Sequence, residues 1–154
     1  MTPRAFLALL LLGMSVSWTA SAIEIVRVWP GYRTDSSFES IGQYFGREEH
    51  KGGRILVRSR PENRDGYYFL TRLRGAPAAP GAVAQIDIIF PGSDLAKTFR
   101  LPLDLPAGGS VLQLGLTGED WPGTAVKPLA WRLTLLAADG TRLVESQSFL
   151  WAQP

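Results

Sequence analysis

Cysteine is absent from the 154 residues, and histidine occurs once, at position 50. The first absence removes disulfides, thiol nucleophiles and thiolate metal ligands. The second leaves no pair of imidazoles to share a metal ion. A Ser-His-Asp hydrolase would have to be built on His50 alone, and no G-x-S-x-G turn is there to present a nucleophile. Lysine is scarce, three residues against thirteen arginines. The positive charge is therefore carried mostly by planar guanidinium groups that grip carboxylate or sulfate in two-pronged fashion. A formal net charge of +2 falls short of the basic excess of a dedicated nucleic-acid binder. No cofactor motif, no tandem repeat and no low-complexity tail is visible.

Long apolar runs are also missing, with one exception at the start. Arg4 precedes the run AFLALLLLGM, and Ala20-Ser21-Ala22 has the small-x-small pattern cut by signal peptidase. The run is shorter than the roughly 20 residues that span a bilayer. Residues 1–22 are therefore expected to be a cleaved signal peptide. The mature chain from Ile23 then has no transmembrane segment and no cysteine for a lipid anchor. Positions 23–154 suit one domain. An exported domain without disulfides must hold together by burial, and 45% apolar residues allow that. Exported animal modules of this size more often carry bridges, so a bacterial periplasmic or extracellular protein is expected.

What remains is strand pattern. The stretch LAWRLTLLAADGTRLVESQSFLW reads as two long strands, Trp131, Leu133 and Leu135 in phase on the first and Leu143, Phe149 and Trp151 on the second. Asp139-Gly140 between them supplies a tight turn. Ile23 to Trp29 alternates and is expected to stop at Pro30-Gly31. Asp35 or Ser36 then caps a short helix with Phe38, Ile41, Tyr44 and Phe45 on one stripe and Gly46 at its end. Arg54–Ser59 and Tyr67–Arg74 read as a hairpin around Pro61–Gly66, with Tyr67, Phe69, Thr71 and Leu73 on one face. Val83–Phe90, Phe99–Leu105 (an edge, given Pro102) and Val111–Leu116 follow. About eight strands, turn signals at regular spacing and one helix predict an all-β, two-layer antiparallel β-sandwich. In WRLTLLAADGTRLVESQSFLW and GYYFLTRLR the chain resembles immunoglobulin-like and fibronectin-type-III-like sandwiches of secreted bacterial proteins. The resemblance implies the fold and no activity.

Several groups of residues invite chemistry. Glu48, Glu49 and His50 are adjacent, so they do not converge on one metal ion and read as a solvated loop. Glu119 and Asp120 beside Trp121 suggest a glycosidase pair, but neighbours in sequence seldom straddle a substrate. ENRDG at 62–66 lacks the spacing of a calcium loop. The strongest constellation is basic and aromatic. Arg54, Arg58 and Arg60 alternate on one strand and, through the expected hairpin, share a face with Tyr68, Arg72 and Arg74. That face suits carboxylates or sulfates, although a plain solvated surface has the same composition. Trp29 and Trp121 precede Pro-Gly turns, where tryptophan either stacks on sugar rings or plugs the end of a sandwich.

Three functions fit. The first is a non-catalytic exported protein that binds another protein or supports an envelope assembly. The second is a glycan-binding module using Trp29, Tyr67, Tyr68, Trp121 and the arginines, the glycan being anionic or neutral. The third is a small hydrolase with unseen carboxylates. The empty catalytic inventory favours the first.

Overall fold

The computed structural model describes residues 23–37 and 53–152. Eight strands form two four-stranded sheets: β1 (Glu24–Arg33), β2 (Arg54–Arg58), β3 (Gly66–Ala76), β4 (Ala79–Ile89), β5 (Ala96–Leu105), β6 (Gly108–Thr117), β7 (Ala130–Leu136) and β8 (Arg142–Gln147). The first sheet has the order β1-β3-β6-β2 and the second β5-β4-β7-β8. Edge strands of the two sheets lie beside each other, β1 with β8 and β2 with β5, so the layers are stacked edge over edge. The expected all-β sandwich is the architecture found.

Alternation builds the core. From β3 come Tyr67, Phe69 and Leu73, and from β6 Leu112, Leu114 and Leu116. Facing them are Ile86 and Ile88 of β4, Leu133 and Leu135 of β7, and Phe99, Leu101 and Leu103 of β5. Ile86 is paired with both Phe99 and Leu133, so β4 is the spine of its sheet. Fully burying each such side chain contributes about 1.5–3 kcal/mol. That supply replaces the disulfides the chain lacks.

Five local expectations need correction. First, β2 and β3 do not form a hairpin. They run antiparallel, but β6 lies between them, pairing with β3 antiparallel and with β2 parallel. The connection at 59–65 steps over the end of β6, fastened by Thr117, whose hydroxyl donates to Arg60 O at 2.8 Å. Second, β1 does not stop at Pro30 but continues to Arg33. Pro30 is tolerated because β1 is an edge strand, where no second neighbour needs its N–H. Third, the chain shifts register between Ile25 and Arg27. This bulge turns Ile25 and Val28 inward and sends Arg27 and Trp29 outward. Fourth, the last strand ends at Gln147. Residues Phe149–Ala152 form a 3-10 turn, and Phe149 is 79% exposed. Ser148 makes this break, donating its N–H to Trp131 O at 2.9 Å while its hydroxyl accepts from Trp131 N. Fifth, the helical turn after β1 is capped one residue earlier than expected. Thr34 N–H bonds Ser37 Oγ, and Ser37 N–H bonds Thr34 O at 2.9 Å, while residues 35–37 are helical. The rest of the expected helix, with Phe38, Ile41, Tyr44, Phe45 and Gly46, lies outside the described residues.

The turn at Asp139-Gly140 is as expected. Gly140 has φ 85°, and Asp139 Oδ1 accepts from Thr141 N at 2.8 Å. That backbone bond holds the exposed Asp139 carboxyl below its ordinary pKa.

Candidate functional site

The outer face of the first sheet gathers most of the candidate residues. Across the strands, one row reads Arg27, Arg72, Val111, Arg54. The next reads Trp29, Leu70, Gln113, Leu56, and the third Gly31, Tyr68, Gly115, Arg58. Arg74 is paired with Glu24 beyond the first row, and its guanidinium lies 3.3 Å from the Glu24 carboxylate. The shared face that the sequence suggested for Arg54, Arg58, Tyr68, Arg72 and Arg74 is real, although β6 separates its two halves.

Exposure divides this face. Arg27, Arg54, Arg72 and Arg74 are exposed, Trp29 is 40% exposed and Leu56 43%. Arg27 places its guanidinium 5.2 Å from the centre of the Trp29 ring. Leu70 and Gln113 are buried.

Tyr68 is also buried, and its ring lies flat over Gly115. Its hydroxyl donates to Arg64 O at 2.6 Å and accepts from Arg58 Nε at 2.8 Å. Burial raises the Tyr68 pKa, with the hydrogen bond and charge of Arg58 pulling the other way. Tyr68 is thus a fixed post that aims Arg58 and offers no free ring face.

Two expected members stand elsewhere. Arg60 follows β2 and turns to the acids of the 3-10 turn Gly118–Asp120. Its Nη2 is 2.7 Å from Glu119 Oε1, and its Nε is 3.2 Å from Asp120 Oδ2, close enough for charge pairing but not aligned as a hydrogen bond. The two acids share one arginine, so they do not oppose each other across a cleft as a glycosidase pair must. Trp121 is 5% exposed and stacks on Tyr67, with ring centroids 4.2 Å apart and Phe90 at 5.2 Å. It plugs one end of the sandwich, the commoner use of such a tryptophan, and presents no face to a ligand.

Sequence reasoning misses Arg27 and Leu56 as members of the face. Simple alternation misplaces Arg27 because it takes no account of the bulge. A signal exists, since Ile25 and Val28 are apolar at an odd spacing.

The outer face of the second sheet carries a different group. Asp87 is buried and accepts from Thr98 Oγ1 at 2.6 Å, Gln85 Nε2 at 3.3 Å and Arg132 Nη2 at 3.0 Å. Burial pushes its pKa up, but these bonds and the Arg132 charge outweigh it and hold the carboxyl below its ordinary value. Arg132 in turn lies under the Trp151 ring at 4.8 Å. A carboxylate so fully bonded is a structural clasp.

Among the described residues, no group of three or more His, Cys, Asp or Glu is placed to hold a metal ion, and no helix is long and apolar enough to cross a membrane. His50, Glu48 and Glu49 lie outside the described residues. Comparison with family models, with curated proteins and with solved structures returns no match.

Proposed function

We propose that the chain is an exported, non-catalytic β-sandwich protein that works by holding another protein, in a complex or in the fabric of a cell envelope, through the outer face of its first sheet. One observation carries this reading: Arg27, Arg54, Arg72, Trp29 and Leu56 stand exposed together on one sheet face. Arginine and tryptophan beside aliphatic side chains are what protein interfaces concentrate at their centres. The uses made of the acids support a role without catalysis. Glu119 and Asp120 hold Arg60, and Asp87 is saturated by three neighbours. Export rests on the leader-like start of the sequence.

A glycan-binding role is the second reading. Of the four rings that suggested it, Tyr67, Tyr68 and Trp121 are buried, and Trp29 is exposed.

The test is size-exclusion chromatography of native envelope extracts from cells expressing the wild type or an Arg27→Glu/Arg72→Glu variant. The wild type is expected in a complex larger than the monomer, and the variant mainly as monomer. Equal elution of the two in the larger complex would remove the face from the account.

A further inference from the structure

Arg27 and Arg72 are direct cross-strand partners, on neighbouring strands and both exposed. Side chains so placed have Cβ atoms about 4.5–5.5 Å apart, and like charges directly opposite are destabilising. Natural sheets normally set an acid against a base at such a position, as this chain does one step away with Glu24 and Arg74. Among the described residues neither Arg27 nor Arg72 has an ion pair. Arg27 instead rests on Trp29. A pair kept against local electrostatics is a mark of function, since consistent sequences otherwise avoid it.

Resting on the reading that this face is the working one, we infer that its partner presents carboxylates, an acidic stretch of polypeptide, to the Arg27–Arg72 pair. A carboxylate seated between the two guanidiniums accepts from both, turning repulsion into two charge-assisted bonds. Val111, half-buried between Arg72 and Arg54, and Trp29 and Leu56 in the adjoining row supply apolar contact beside the charges.

The surroundings favour a polypeptide over an acidic polysaccharide. Sugar recognition needs an open aromatic face and neutral hydrogen-bonding groups around it. Among the described residues of this sheet the exposed ring, Trp29, already carries the Arg27 guanidinium, and Gln113 in the adjoining row is buried. Trp29 and Leu56, in the adjoining row, are accessible apolar neighbours.

Fluorescence anisotropy with a labelled eight-residue oligoglutamate tests this, run beside an oligouronate (alginate) fragment of equal charge. The proteins are the wild type, Arg27→Gln/Arg72→Gln, and Arg100→Gln as a control on an exposed position of β5. The expected result is oligoglutamate binding by the wild type that weakens with salt, persists in Arg100→Gln, and falls roughly tenfold or more in the double variant. Circular dichroism verifies that the variants are folded. Alginate binding without oligoglutamate binding would overturn the inference in favour of a glycan. No binding of either probe, or equal binding by the double variant, would also overturn it. Should the large envelope complex persist in Arg27→Gln/Arg72→Gln, the interface reading survives and the carboxylate inference alone fails.

Discussion

Tyr68 reaches Arg58 only because residue 115 is glycine. A Cβ at Gly115 would press into the Tyr68 ring far inside van der Waals contact, nearest Cε1. Gly115→Ala must therefore lift the ring, strain both hydroxyl bonds and release Arg58. The expected cost is about 1–3 kcal/mol in urea unfolding, the range for overpacking a filled site. Asp87 makes a pH prediction. Its folded pKa is depressed, so its contribution to stability is full above the unfolded carboxylate value of about 4 and disappears as pH falls through the lower folded value. The wild type should lose stability over that acid window. Asp87→Asn should start less stable at neutral pH and lose less on acidification, in chemical denaturation at each pH. Arg72 works in the opposite sense. Arg72→Gln relieves the Arg27 repulsion and should leave stability unchanged or raise it by about 0.2–1 kcal/mol, whereas loss of stability in the same denaturation experiment would mean the two arginines do not repel.

Elements differ in how far they can be read from the sequence. β3, β4, β6 and β7 are legible because large apolar residues recur at their inward positions with period two, and Leu112, Leu114 and Leu116 point inward as their phase requires. The partner of β2 was not legible. Pro61–Gly66 reads as a hairpin turn, but the full connection at 59–65 also spans one intervening strand. Nothing local says that β6, about fifty residues later in the chain, will enter the gap. The end of β8 was obscured by Phe149 and Trp151, which extend the apolar pattern past the point where Ser148 breaks the ladder. The site was half legible for the same reason. Face membership follows from period-two alternation, so Arg54, Arg58, Arg72 and Arg74 were grouped correctly despite the wrong pairing. Burial of Tyr68 and Trp121 depends on tertiary neighbours that alternation does not reveal. At this scale the topology fixes an exchange pattern. Amides of β3, β6, β4 and β7, hydrogen-bonded on both sides, should exchange most slowly, and those of β1, β2, β5 and β8 sooner. If β2 amides proved as protected as those of β6, the order β1-β3-β6-β2 would be wrong.

Across the whole molecule the two outer faces have opposite characters. The second sheet sets Arg132 on Asp87 and Arg142 on Glu145, while Arg100 stands exposed on β5. The first leaves Arg27 and Arg72 without an acid among the described residues. What sets the first sheet apart is that its two arginines without an acid are direct cross-strand neighbours. Leu95, Leu129, Phe149 and Leu150 are also exposed, outside both sheet faces, and are rival apolar contact points. Photocrosslinking in living cells separates these surfaces most directly, with a benzophenone amino acid placed singly at Val26 and Leu56 on the first sheet, Thr98 on the second, and Leu129 in the loop before β7. The account expects a discrete adduct with a protein from Val26 or Leu56 and none from Thr98 or Leu129. Adducts from Thr98 or Leu129, with Val26 and Leu56 silent, would contradict it.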